Sequence, residues 1–174
     1  MPAPDSQKPP LPDPARARPP RRTLLRRLFQ LWFRLSRPVT LGVRALVRDE
    51  AGRVLLVRHT YAPGWALPGG GVERRETAQE ALRKELREEA GILLAPSARP
   101  TLFGLYSNRA IFPGDHVALY VLAPDQWRQG PWRPTREIAE ARFFALSEIP
   151  PDATPGTLRR LREALEGHPP AEDW

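Results

Sequence analysis

An α+β fold is predicted for this chain of 174 residues. Three observations carry that prediction. β-rich runs predominate from Val39 onward, two helical segments are set among them, and no regular strand–helix–strand period joins them. No internal repeat is visible, and the length and 41% hydrophobic content suit one domain with its own core.

The elements follow in chain order. Residues 1–22 are rich in Pro and Arg, hold one large aliphatic side chain in Leu11, and are expected to be disordered or extended. Residues 23–38 differ. Leu24, Leu28, Leu31 and Leu35 recur at helical spacing, with Leu25, Phe29, Trp32 and Phe33 beside them and Arg26, Arg34 and Arg37 on the opposite stripe. This predicts an N-terminal amphipathic basic helix stopped by Pro38. Its arginines interrupt any secretory core, and it is too short and charged to span a bilayer. Three roles stay open for it: docking on its own domain or on a homodimer mate, lying on a membrane surface, or targeting. The short step from Pro38 to the first strand favours docking.

From residue 39 to 168 the pattern is that of the folded domain. Leu41–Asp49 and Arg53–His59 flank a turn at Gly52 and are expected to pair as a hairpin. Thr101–Asn108, Asp115–Ala123 and Glu140–Leu146 read as further strands. Thr77–Ala90 reads as a helix closed by Gly91, and Thr154–Glu166 as a second, with Pro155 near its start and Leu158, Leu161 and Leu165 on one face.

Charge narrows the function classes. The net charge is +7, but nine Lys and Arg against only Asp5 and Asp13 fall in residues 1–38, so residues 39–174 are electrically balanced. A neutral domain is a poor phosphate-backbone binder, and DNA is not an expected partner. The chain has no cysteine, which removes disulfides and thiolate metal sites.

The most informative stretch is LPGGGVERRETAQEALRKELREEAGI, Leu67–Ile92. Glu85, Glu88 and Glu89 stand at i, i+3 and i+4, so all three carboxylates project from one helical face. Such a cluster is either a charged surface offset by Lys84 and Arg87, or an all-oxygen site for Mg²⁺ or Mn²⁺. The turn Gly69–Gly71 would let backbone approach that face without a Cβ in the way. An acidic metal site of this kind suits attack of water on a phosphate group.

The same residues resemble the box that defines the Nudix hydrolases. The match runs over the 23 residues Gly70–Ile92: Gly70, Glu76, Lys84, Glu85, Leu86, Glu88, Glu89, Gly91 and Ile92 fall at the constrained positions. Trp65 and Leu67–Gly70 resemble the family's usual approach. Lys84 is the departure, since the family has Arg there, and Lys keeps the charge but lacks the planar fork.

The resemblance implies a Nudix fold, a mixed β-sheet sandwiched between helices. It implies metal-dependent hydrolysis of a pyrophosphate linkage in a small nucleoside diphosphate derivative or nucleoside triphosphate, in the cytoplasm. Glu85, Glu88 and Glu89 would bind the cation together with the Gly69 carbonyl, and Glu76 would brace the corner before the helix. The general base would be Glu85, Glu88 or a carboxylate on a facing segment, Glu137 or Glu140.

Arg58, Trp65, Tyr106 and Arg109 are the foremost candidates for substrate binding, with Tyr61, Asn108 and His116 behind them, because aromatic faces stack bases and Arg grips phosphate. Trp65 and Tyr106 have a plain core role as their alternative. Past the box, "YSNRA" (Tyr106–Ala110) carries neither the proline that marks the family's ADP-ribose group nor the tyrosine that marks its dinucleoside-polyphosphate group. The alternative to an enzyme is a Nudix-fold module that binds a nucleotide or RNA without turnover.

Overall fold

The computed structural model describes residues 39–174. The tail over 1–22 and the helix over 23–38 lie outside the described residues. The elements are β1 (Thr40–Val47), β2 (Val54–His59), β3 (Trp65–Ala66), α1 (Ala78–Ala90), β4 (Ile92–Leu94), β5 (Thr101–Ser107), β6 (Asp115–Leu122), β7 (Trp127–Gln129), β8 (Ile138–Phe144) and α2 (Pro155–Glu166). This is the α+β composition that the sequence predicts.

The strands form two three-stranded sheets, ordered β1-β6-β5 and β3-β2-β8, and a small β4-β7 pair. The first sheet is mixed: β1 runs parallel to β6 from Thr40↔Asp115 to Val47↔Leu122, and β5 runs antiparallel to β6. The second is antiparallel.

Alternation along the strands makes two cores. Val43, Ala45 and Val47 of β1, Leu55 and Val57 of β2, and Ala118, Tyr120 and Leu122 of β6 pack with Leu82, Leu86 and Ala90 of α1. Their neighbours Leu46, Val54, Leu56 and Leu119 join Leu158, Leu161 and Leu165 of α2 on the other face. Period-two side-chain direction thus puts one helix on each face of the strand layer. Each fully buried Leu contributes on the order of 1.5–3 kcal/mol to that arrangement.

The expected β1–β2 hairpin is corrected. The turn forms, with Gly52 at φ +75° and its N–H donating to the Asp49 carbonyl at 2.9 Å. Beyond one bridge between Arg48 and Val54, however, the strands diverge into different sheets. β1 is buried on both faces, and its full length is taken up by the parallel partner β6, a pairing that depends on distant sequence. The adjacent hairpin that does form is β5–β6.

Residues 172–174 return along β5, where Ser107 and Asp173 form a parallel bridge. Among the described residues no helix is long and apolar enough to cross a membrane.

Candidate active site

Helix α1 is set by its own ends. Thr77 accepts from the Glu80 N–H at 3.2 Å while Glu80 accepts from the Thr77 N–H at 2.7 Å, a reciprocal cap. Gly91, at φ +66°, closes the other end with its N–H on the Arg87 carbonyl. In the last two turns before that end stand Glu85, Glu88 and Glu89, of which Glu85 and Glu89 meet the Gly69–Gly70 backbone.

Glu89 is the most enclosed of the three at 8% exposure. Its Oε2 accepts from the Gly69 N–H at 2.7 Å. Burial pushes its carboxyl up from the ordinary 4.5 to about 7, against the opposing pull of that N–H and of Arg44, while the charges of Glu85 and Glu137 add to the rise. Glu85 lies against the next residue: a Cβ at Gly70 would meet its carboxyl carbon at 2.6 Å. Burial raises Glu85 as well, with Glu88 adding and Lys84 opposing. Glu88 is exposed and pairs with Arg87 at 3.3 Å.

Lys84 compensates for its lack of a fork by reach. Its Nζ lies 3.1 Å from Glu73, 3.4 Å from Glu76 and 3.7 Å from Glu85. Glu76 in turn accepts from the Glu73 N–H at 2.5 Å, bracing the turn that enters the helix. Lys84→Arg is therefore expected to keep or raise turnover. A loss above about tenfold in kcat/KM, equivalent to 1.4 kcal/mol, would contradict this.

Two site residues escaped sequence reasoning. Arg44 of β1 donates through Nη1 to the carbonyls of Leu67 at 3.0 Å and Gly69 at 2.6 Å. The Gly69 carbonyl, expected as a cation ligand, thus accepts from Arg44, while the Gly69 N–H meets the acidic face at Glu89. A lone Arg within the apolar run LGVRALV (Leu41–Val47) was the available signal. His59, the other, sits where the β2–β8 register shifts. Its Nε2 is 3.9 Å from Glu89, and its ring stacks on Tyr61 at 5.0 Å. Burial, with the Arg44 charge second, lowers its pKa and favours the neutral ring.

The expected substrate residues divide. Tyr106 is fully buried, and its hydroxyl is bonded to Glu163 at 3.1 Å. Trp65 is 5% exposed and packs edge-on against Phe144 at 4.8 Å. Both are core residues, which corrects their assignment to a pocket wall: each occupies an inward position of its strand. Arg58 borders an open groove but pairs across the sheet with Glu140 and lies over Trp65. Glu140, the other carboxylate expected on the facing segment, is engaged by that ion pair. Arg109 pairs with Asp173 at 3.0 Å, Asn108 with Asp115 at 2.9 Å, and His116 contacts the Gly114 carbonyl at 3.3 Å.

Glu137 remains beside the acidic face. It is exposed, its charge acts on both Glu89 and His59, and among the described residues its carboxylate has no hydrogen-bond or ion-pair partner. Trp132 pins its segment to α1 by donating to the Glu88 carbonyl at 3.1 Å.

A cavity of about 360 Å³ adjoins the site, lined by Arg44, His59, Tyr61, Ile111, Trp174 and the first turn of α2 among others. Its size and mixed lining suit a small ligand with charged and flat parts.

As oriented, no three His, Asp or Glu side chains among the described residues converge into a ready cation cage. The donor set fits a hard divalent ion nonetheless. Glu85 and Glu89 bring two desolvated like charges to adjacent backbone units, both held above their ordinary pKa, and Glu88 is an exposed carboxylate on the same face.

Comparison with known proteins gives a consistent picture. The NUDIX domain family model matches residues 38–165. The chain is 31% identical over 121 residues to an ADP-ribose pyrophosphatase of Methanocaldococcus jannaschii, covering 68% of this chain and 69% of that protein. It is 48% identical over 51 residues to an RNA pyrophosphohydrolase of Halorhodospira halophila, but there it spans only 28% of the relative's length. Among solved structures, a MutT NUDIX hydrolase from Burkholderia pseudomallei superposes with a TM-score of 0.59 at 28% identity, covering 71% of this chain and 95% of the other.

Proposed function

Because the chain belongs to the Nudix hydrolase family, we propose that it cleaves the pyrophosphate linkage of a small nucleoside diphosphate derivative or nucleoside triphosphate. The observation that carries this is the meeting of Glu85 and Glu89 with the Gly69–Gly70 backbone beside the Arg44-lined cavity. Glu85, Glu88 and Glu89 would hold Mg²⁺ or Mn²⁺. Such an ion, when bound there, neutralises phosphate charge and lowers the pKa of a bound water.

The protein's own groups supply the rest. Arg44 fixes the loop through two carbonyls and leaves a cation at the cavity wall for a phosphate oxygen. Glu137 is the candidate base, since it is exposed at the edge of the acidic face and without a competing partner among the described residues. Neutral His59, packed beside Glu89, helps keep bulk water from that carboxylate.

A relative matched over 69% of its length is named for ADP-ribose, so that compound heads the substrate panel, followed by nucleoside triphosphates and dinucleoside polyphosphates. Hydrolysis of at least one member is expected with Mg²⁺ or Mn²⁺, and chelation by EDTA should abolish it. Turnover undiminished by EDTA, or absent across the panel with both cations, would contradict the proposal.

A further inference from the structure

The segment after α2 has no part in the chemistry just described, yet it is fastened to the domain repeatedly. Pro170 packs on Gly104, where a Cβ would approach to 2.8 Å. The Ser107 N–H donates to the Glu172 carbonyl at 2.8 Å, and the Trp174 N–H donates to the Ser107 carbonyl at 2.9 Å. Arg160 holds the Asp173 carbonyl at 2.9 Å, and Arg109 holds the Asp173 carboxylate. Arg159 reaches the Trp174 carbonyl.

These bonds share one consequence, the position of the Trp174 indole. It rests on the first turn of α2, where a Cβ at Gly156 would lie 2.5 Å from Nε1, so this turn is bare where the ring sits. Behind it, the Tyr106 ring meets the indole edge-on at 5.5 Å, and the fully buried Arg160 guanidinium stands 5.4 Å from its centre. The indole then forms part of the lining of the 360 Å³ cavity that also holds Arg44 and His59.

We propose that Trp174, held by the strap of residues 170–174, is the surface on which the base of the nucleotide substrate stacks. This rests on the nucleotide-hydrolase reading above. A rigid indole presents a broad π-face that any base can use, and the cavity joins it to the wall shared by Arg44 and His59, next to Glu89. The phosphates would then lie towards the acidic face while the base occupies the end walled by Trp174.

Two measurements on the full chain test this. In the first, the four nucleoside monophosphates and ribose 5-phosphate are titrated while tryptophan fluorescence is read. At least one nucleotide should quench it, ribose 5-phosphate should not, and the quench should vanish in Trp174→Phe. In the second, KM and kcat are compared for a hydrolysed nucleotide in Trp174→Leu, Gly156→Ala and Trp174→Phe. Gly156→Ala keeps the indole but displaces it.

KM is expected to rise about tenfold in Trp174→Leu and Gly156→Ala, with a much smaller change in kcat and substantial rescue by Phe. No quench by any nucleotide, an equal quench in Trp174→Phe, or an unchanged KM in Trp174→Leu overturns the proposal. If Trp174→Leu and Gly156→Ala fail to fold, the fluorescence comparison with Trp174→Phe decides. A parent chain that binds and quenches but hydrolyses nothing contradicts the hydrolase reading while leaving the stacking site standing.

Discussion

Glu89→Gln is expected to lower turnover by on the order of 100-fold or more while leaving the fold as stable as before, or more stable. The two halves of that expectation have one cause. The amide oxygen of Gln can still accept from the Gly69 N–H, so the hydrogen bond at 2.7 Å is kept. What is lost is a buried negative charge that the metal-free fold disfavours, since burial raises Glu89 from 4.5 to about 7.

The sign follows from linkage. The folded state holds the proton more tightly than the unfolded one, so the charge costs nothing below about 4.5, costs more as pH rises, and reaches its full cost above about 7. In EDTA, thermal unfolding should therefore show the Gln variant gaining on the parent between those values and keeping its lead above them. Glu85→Gln should behave similarly, more weakly, because Glu85 is less enclosed. Glu88→Gln should cut turnover with little effect on Tm, because Glu88 is exposed. A Glu89→Gln variant that is fully active, or that melts well below the parent at pH 8, would count against this view of the site.

The three consecutive glycines are expected to respond differently to the same substitution. Gly69→Ala should destabilise by more than about 3 kcal/mol or prevent folding. Gly69 sits at φ +140°, and a Cβ there would lie 2.0 Å from the Val43 carbonyl oxygen, which is backbone of a fully paired strand. Gly70→Ala should fold but lose activity, since its Cβ would meet the Glu85 carboxyl at 2.6–2.8 Å and must push that side chain away. Gly71→Ala should be close to neutral in both respects, because nothing lies within 4 Å of the added carbon. Urea unfolding and turnover of the three variants separate these outcomes. Equal losses at all three positions would show the loop to be merely flexible rather than shaped around Glu85 and Glu89.

Local chemistry made the core of this site legible. The start at Thr77, the Gly91 stop and the i, i+3, i+4 spacing of Glu85, Glu88 and Glu89 all lie within residues 77–91, where helix geometry alone relates them. The five longer strands, β1, β2, β5, β6 and β8, were legible as strands for the same reason, whereas the two- and three-residue strands β3, β4 and β7 were not. Nor were the strands' partners. Leu41–His59 looks like a hairpin because turn and flanks are adjacent, but β1 finds its partner near residue 118, and nothing in either segment alone specifies that.

Arg44 and His59 belong to the same class of omission. Each becomes a site residue only when β1 and β2 bring it alongside α1 and the glycine loop. Tyr106 and Trp65 show the converse. Their side-chain chemistry suggested a pocket, but strand direction turned both inward; the cavity is lined instead by Tyr61, which the sequence did suggest, and by Trp174, more than 100 residues after Trp65 in the chain.

The central claim is that Glu85, Glu88 and Glu89 hold the catalytic cation. It is tested most directly by titrating Mn²⁺ into the parent and the three Glu→Gln variants under electron paramagnetic resonance, with turnover measured on the same samples. The expected result is that the parent sequesters Mn²⁺, and that each variant loses Mn²⁺ affinity and hydrolysis together while keeping its circular dichroism spectrum. Unchanged Mn²⁺ affinity in all three folded variants would contradict the claim and move the cation site elsewhere.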